Sequence, residues 1–258
     1  MSDFVFKKKF GQNFISDKNL LNAIASDAEI SENDEVLEVG AGAGSLTQVL
    51  SQRCKKVVSF EIDKDLQESL LALNLKNVEF VFDDFLKADM KKVESKFSKK
   101  IKVVANLPYY ITTPIIFKFL EESTKLQSLT IMVQKEVAER ICAQVGGKDY
   151  GILTVMTNFY GTPKITRMIN RQMFYPVPNV DSALLNVKIQ PKYADIDAAK
   201  FSAFVKTCFS MRRKTLLNNL SKIFSKEKLK ECLTEETLKK RAETLSLDEF
   251  VELFKKLS

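Results

Sequence analysis

The sequence predicts an α/β fold built on a parallel sheet, with a small all-helical domain at its C-terminal end. Three observations predict it. Short apolar runs rich in β-branched and aromatic residues recur as far as Val133, amphipathic helical stretches lie between most of them, and from Ala198 onward the periodicity is helical only. Strand–helix–strand alternation at this spacing argues for parallel strands joined by right-handed crossovers.

The runs are residues 36–39 (VLEV), which stop at Gly40, then 57–63 (VVSFEID), 78–82 (VEFVF), 101–105 (IKVVA) and 129–133 (LTIMV). Each is short enough to be a buried strand. Leu46, Val49 and Leu50 mark one intervening helix, and Ile115, Ile116, Phe119 and Leu120 another. Beyond residue 150, Ile152, Val155, Met156 and Phe159 share one helical face, while 163–169 and 182–189 read as an antiparallel pair joined by a loop carrying Pro176 and Pro178. In the tail, Phe201, Phe204, Val205, Cys208 and Phe209 follow i, i+3, i+4, i+7, i+8 spacing, and Ser246 with Glu249 forms a capping box before a last helix over 250–257.

Charge and composition narrow the chemistry. The 258 residues hold 40 Lys and Arg against 33 Asp and Glu, a net +7, and residues 192–258 supply +5 of it. A basic tail suits a polyanionic partner. Histidine is absent. That excludes a Ser-His-Asp triad, a Cys-His dyad and His-ligated zinc, and it points to chemistry with no strong general base. Cys54, Cys142, Cys208 and Cys232 are dispersed, with no C-x-x-C pair. No signal-peptide run precedes residue 14, and no apolar stretch is long enough to span a membrane. A reduced cytoplasmic setting is the expectation, and nothing demands more than a monomer.

The first chemical motif is Glu38-Val39-Gly40-Ala41-Gly42-Ala43-Gly44, between a strand and a helix. Gly40 permits a tight turn, and Gly42 lets the backbone approach a ligand. Glu61, 21 residues after Gly40 at the end of the second strand, can accept both hydroxyls of a ribose. A dinucleotide fingerprint requires glycine where Ser45 stands. Asp84, after the third strand, can accept from an adenine amino group, although Asp83 and Asp84 also suit a turn or a helix cap.

Asn106-Leu107-Pro108-Tyr109 follows the fourth strand. Ligands of open α/β sheets bind beyond the carboxyl ends of the strands, so this turn belongs beside the glycine loop. The side-chain oxygen of Asn106 and the backbone carbonyl of Leu107 can accept the two hydrogens of adenine N6, which localises its delocalised lone pair. Pro108 stiffens the turn. Tyr109 offers a stacking face worth about 1–3 kcal/mol per base. The same four residues also make a plain rigid loop.

Together these segments resemble the ribosomal RNA adenine N6-dimethyltransferases of the small subunit, the KsgA (RsmA) family. The resemblance covers nearly the whole chain. It includes Phe10-Gly11-Gln12-Asn13-Phe14, Glu38 to Thr47 (EVGAGAGSLT), Asn106 to Tyr109, Gln134-Lys135-Glu136 and Tyr150-Gly151. Phe174-x-Pro176-x-Pro178-x-Val180-Asp181-Ser182 and Arg212-Arg213-Lys214-Thr215-Leu216 complete it. Ala41 stands where the family usually has proline, Ile15 where leucine is usual, and Tyr110 where asparagine is common.

The resemblance implies a Rossmann-like methyltransferase domain over residues 1–190 and a helical RNA-binding domain over 191–258. It implies S-adenosylmethionine as methyl donor. It also implies, as substrate, two adjacent adenosines in the 3′-terminal hairpin of small-subunit (16S) rRNA within the immature 30S subunit. Asn13, Ile15, Gly40, Glu61, Asp84 and Asn106 would contact the donor, and Tyr109 and Phe174 would sandwich the target base. Arg212, Arg213 and Lys214 are the foremost candidates for phosphate contacts, ahead of Lys7, Lys8, Lys9, Arg167 and Arg171.

Three alternatives stay open at this level. A macrolide-resistance methyltransferase acting on the large subunit shares Q-N-F and the glycine loop. A dinucleotide-dependent oxidoreductase is opposed by Ser45. A ribosome-assembly factor with secondary catalysis would use the same surface.

Overall fold

The computed structural model describes residues 14–258. Its strands are β1 Phe14–Ile15, β2 Glu35–Val39, β3 Lys56–Phe60, β4 Val78–Val81, β5 Ile101–Asn106, β6 Leu126–Gln134, β7 Gly161–Ile169, β8 Phe174–Tyr175 and β9 Ser182–Ile189. Its helices are α1 Lys18–Asp27, α2 Ser45–Ser51, α3 Gln67–Ala72, α4 Met90–Ser95, α5 Thr112–Glu122 and α6 Lys135–Ile141, then α7 Ile152–Tyr160, α8 Ala198–Cys208, α9 Leu216–Leu220, α10 Lys226–Cys232, α11 Glu235–Lys239 and α12 Leu247–Leu257. No helix among the described residues is long and apolar enough to cross a membrane. Two compact units divide the chain: one runs through Ala138 and takes up Lys164–Ile189, and the other comprises Glu139–Pro163 and Gln190–Ser258.

The first unit is built on a sheet in the order β4-β3-β2-β5-β6-β9-β7. β2 to β6 pair parallel, and β9 pairs antiparallel with β6. The five apolar runs of the sequence are β2 to β6, and β7 and β9 are hydrogen-bonded neighbours. Every residue of β2 is buried, as a central parallel strand covered on both faces requires. The chain builds outward from β2 to β4 and then returns to β5 on the other side of β2. Strand order therefore reverses between β2 and β5, which opens a crevice beyond their carboxyl ends.

Helices cover both faces. The Asp17 side chain caps α1 by accepting from the Leu20 N–H at 2.8 Å. Leu20, Leu21, Ile24 and Ala25 of α1 then join Leu46 and Leu50 of α2 in a core cluster with Val36, Val57 and Val104. On α5, Phe119 stacks on Phe85 at 5.0 Å, and Phe85 meets Phe60 edge-on at 5.1 Å. Burying one such ring stabilises the fold by about 1.5–3 kcal/mol.

The second unit is helical, and the sequence boundary near residue 190 does not describe its whole extent, since α7 belongs to it. Phe159 of α7 stacks on Phe201 of α8 at 4.6 Å, and Phe201 meets Phe254 of α12 edge-on at 5.6 Å. Tyr150 donates from its hydroxyl to the Leu245 carbonyl at 2.8 Å in a buried bond. The capping box of α12 is formed: Ser246 N–H donates to Glu249 at 2.8 Å, and Glu249 N–H to Ser246 Oγ at 3.2 Å.

Candidate active site

The glycine loop begins where β2 ends. Gly40, Gly42 and Gly44 all have positive φ, at 85°, 56° and 79°. The loop needs glycine for space as well as conformation. A Cβ on Gly42 would lie 2.9 Å from Phe14 Cε1, and one on Gly44 would lie 2.5 Å from Leu73 Cδ1. Backbone N–H groups at the end of β2 are tied to β3: Gly40 donates to the Phe60 carbonyl at 2.8 Å, and Gly42 donates to Glu61 Oε2 at 2.7 Å.

Glu61 is buried directly beyond β3, and its Oε1 accepts from the Asp63 N–H at 2.8 Å. Burial pushes its carboxyl pKa up, opposed by the N–H groups of Asp63 and Gly42. Each carboxylate oxygen thus spends one lone pair on the backbone and keeps another, so two vicinal hydroxyls can be met. Beneath the loop, Glu38 Oε2 accepts from Thr47 and Ser59 at 2.6 Å each. Burial pushes the Glu38 pKa up to about 7.

Asp84 is a helix cap that also faces the crevice. Its Oδ1 accepts from the Leu86 N–H at 3.0 Å and caps the 3₁₀ turn Phe85–Lys87, and the residue also lines the crevice. Its Oδ2 lies 3.7 Å from the exposed Lys87 Nζ, a loose pair.

Asn106 is the last residue of β5, opposite Met132 of β6. Leu107 is buried, and Pro108 opens a 3₁₀ turn over Tyr109–Ile111 that runs into α5. Tyr109 is held at its far end, where its hydroxyl lies 2.8 Å from Ser182 Oγ at the start of β9. Burial raises the Tyr109 pKa, so the phenol stays protonated.

These elements converge on one cleft of about 240 Å³. Ile15, Gly40, Glu61, Asp84, Asn106, Leu107 and Tyr109, all expected at the site, line it. Phe14 and Tyr110 line it too, the latter with 61% of its surface exposed. Adenosyl recognition fits this lining: carboxylates at two strand ends, with Ile62, Phe85 and Leu86 as apolar neighbours for a purine.

Phe174 is set apart from the other expected site residues. It does not line the cleft; it is 3% exposed and packs in the core cluster with Ile15 and Leu21. The cause is the pairing of β8 with β1, Ile15 opposite Phe174, which turns this ring inward and leaves Tyr175 exposed. Asn13 and Lys7 to Lys9 lie outside the described residues.

Arg212, Arg213 and Lys214 are exposed on the turn between α8 and α9 in the second unit. Buried Asn219 shapes that turn: its Nδ2 donates to the Cys208 and Met211 carbonyls at 2.7 and 3.2 Å, and its Oδ1 accepts from the Met211 N–H at 3.1 Å. Arg212 itself donates to the Lys148 carbonyl. Arg167 is engaged by Asp27 through two bonds of 3.1 and 3.2 Å, so it is the weaker phosphate candidate. Glu38 and Ser182 lie in motif segments but carry no role of their own in the sequence reading, and Asn219 lies in none. The signal that marks them is a polar side chain inside an apolar run.

The family model for ribosomal RNA adenine dimethylase matches residues 3–258. The chain belongs to the ribosomal RNA adenine dimethylase family. It is an enzyme, an rRNA adenine N6-dimethyltransferase. The dimethylase is 43% identical over 262 residues to a protein of Fusobacterium nucleatum named ribosomal RNA small subunit methyltransferase A, with 98% of each chain covered. It is 47% identical over 256 residues to a protein of the same name from Caldanaerobacter subterraneus, covering 96% of this chain and 95% of that one. Its fold is similar to that of a dimethyladenosine transferase from Plasmodium falciparum, with TM-score 0.78, 26% identity, and 94% and 98% of the two chains covered. It is also similar to the 23S rRNA methyltransferase ErmE, with TM-score 0.71, 28% identity, and 95% and 99% covered. Membership of this family removes the oxidoreductase alternative.

Proposed function

We propose that this dimethylase uses S-adenosylmethionine to dimethylate N6 of two adjacent adenosines in the 3′-terminal hairpin of small-subunit rRNA, on the maturing 30S subunit, as a cytoplasmic monomer. One observation carries the reading: Gly40, Glu61, Asp84 and the Asn106–Tyr109 turn line a single cleft at the carboxyl ends of β2 to β5. The small-subunit choice over the large-subunit one is supported by relatives 43% and 47% identical over nearly the full length, against 28% for ErmE.

When bound, S-adenosylmethionine supplies an electrophilic methyl group on a sulfonium. Glu61 would hold the ribose hydroxyls, Asp84 the adenine amino group, and the glycine loop would let the backbone come close. Asn106 and Leu107 would accept the N6 hydrogens of the target adenine and direct its lone pair. Tyr109 would stack on the extruded base and offset an unstacking cost of a few kcal/mol. Fixed geometry of this kind supplies about 7–11 kcal/mol of barrier reduction. None of these tasks needs histidine, which the chain lacks.

The test is incubation with labelled methyl donor and isolated unmethylated small or large subunits, followed by mapping of the modified base. Label in two adjacent small-subunit adenosines is the expected result; label in large subunits alone overturns it. Asn106→Ala should abolish transfer when donor binding is measured separately, and transfer at near wild-type rate removes Asn106 from the mechanism.

A further inference from the structure

We propose that Ser182 is a positioning residue for methyl transfer, its hydroxyl fixing the plane of the Tyr109 ring against which the target adenine stacks. The inference rests on the reading of Tyr109 as that platform.

Tyr109 is anchored at both ends. Its backbone sits in the 3₁₀ turn after Pro108, whose ring fixes φ. Its hydroxyl meets Ser182 Oγ at 2.8 Å, across 73 residues of sequence. A tyrosine held by its backbone alone keeps freedom about two side-chain torsions, and χ2 of an aromatic ring is broad. A hydrogen bond at the far end removes that freedom and sets the plane the base meets.

Ser182 is a rigid anchor. It is fully buried and pairs with Gln134 of β6 at the first rung of the β6–β9 ladder. The residue before it is stapled twice: the Asp181 carbonyl accepts from the Lys135 N–H at 3.0 Å, and Asp181 Oδ1 accepts from the Arg171 N–H at 3.0 Å. An oxygen placed this firmly at the back of a substrate-facing ring transmits the sheet's rigidity to it. The Phe174–Ser182 segment therefore acts on the site through its last residue, while Phe174 is packed in the core.

Ser182→Ala, Tyr109→Phe, the double variant and Tyr109→Ala are compared with wild type in single-turnover transfer to small subunits, with donor affinity measured separately. The expected loss in rate is about 10-fold for Ser182→Ala and for Tyr109→Phe, the scale of one hydrogen bond, with donor affinity unchanged. The double variant should be no slower than either single one, because both remove the same bond. Wild-type rate in Ser182→Ala while Tyr109→Ala is slow overturns the inference and leaves the platform reading standing. Losses that multiply in the double variant also overturn it. Wild-type rate in Tyr109→Ala overturns the platform reading and the inference with it. Should Ser182→Ala not fold, Tyr109→Phe decides alone: a slowed rate with unchanged donor affinity supports the bond, and an unchanged rate overturns it.

Discussion

Replacing Glu38 with glutamine exposes the electrostatics beneath the glycine loop. The Glu38 carboxyl is fully buried; Oε2 accepts from Thr47 and Ser59, and Oε1 has no hydrogen-bond partner among the described residues. Burial pushes its pKa from 4.5 to about 7; the two hydroxyls oppose the shift and the nearby Glu61 carboxylate adds to it. The folded state therefore holds this proton more tightly than the unfolded chain does. The stabilisation is fully present below the unfolded value of 4.5 and is lost as pH rises through the folded value of about 7. At about 1.4 kcal/mol per pKa unit, the loss between those limits is about 3 kcal/mol. Glutamine keeps the shape and carries no proton to lose. Urea unfolding of both proteins from pH 4 to 8 isolates the effect, because groups distant from Glu38 titrate alike in the two and cancel. The wild-type advantage over Glu38→Gln should shrink by about 3 kcal/mol across that range. Parallel stability curves would refute the reasoning and would mean that Glu38 binds its proton equally well in the folded and unfolded chain.

Two further predictions follow from the geometry. Gly44→Ala forces a side chain into the left-handed region at φ 79° and puts a Cβ 2.5 Å from Leu73 Cδ1 and 3.0 Å from Leu70 Cδ2. The backbone cost of about 1–2 kcal/mol and the overpacking cost of about 1–3 kcal/mol should together lower the thermal midpoint by about 5–15 °C, and an unchanged midpoint would show that the leucines yield freely. Alanine at Arg212, Arg213 and Lys214 together should flatten the slope of log affinity for rRNA against log salt by about 2, with donor affinity unaffected, and an unaltered slope would remove the turn from the phosphate contacts.

The sheet was readable because its strands are buried. VLEV, VVSF, VEFV, IKVVA and LTIMV announce themselves as short β-branched runs, and β2 to β6 lie where those runs fall. The glycine loop and the Asn106–Tyr109 turn were readable for a related reason. A strand that stops at an unusual residue cluster leaves that cluster at the crevice. Other features lack any local signature. β1 and β8 are two residues each, too short for alternation to show, so the inward orientation of Phe174 is set by pairing with Ile15 alone. The second unit takes in α7 because Phe159 stacks on Phe201, a contact between residues far apart in the chain. Asp84 shows a third limit: its capping bond uses one carboxylate oxygen, so a residue that suits both a cap and a ligand gives no choice between the two readings.

Four buried polar residues share one physical description: each stands in or beside an apolar run. Glu38 interrupts VLEV, Ser59 interrupts VVSF, Ser182 precedes ALLNV, and Asn219 sits within LLNNL. Each is buried, and a buried polar group left without a partner costs about 1–3 kcal/mol, so each must bond to something. Their partners are Thr47 in the first turn of α2, Tyr109, and the backbone of the basic turn. A polar letter in a stretch that periodicity assigns to the core is thus a marker of second importance only to the motif itself. It says that some distant group is being fixed, and the fold says which. In this chain the distances run from 8 residues for Asn219 and Met211 to 73 for Tyr109 and Ser182, so only the three-dimensional arrangement completes the pairing.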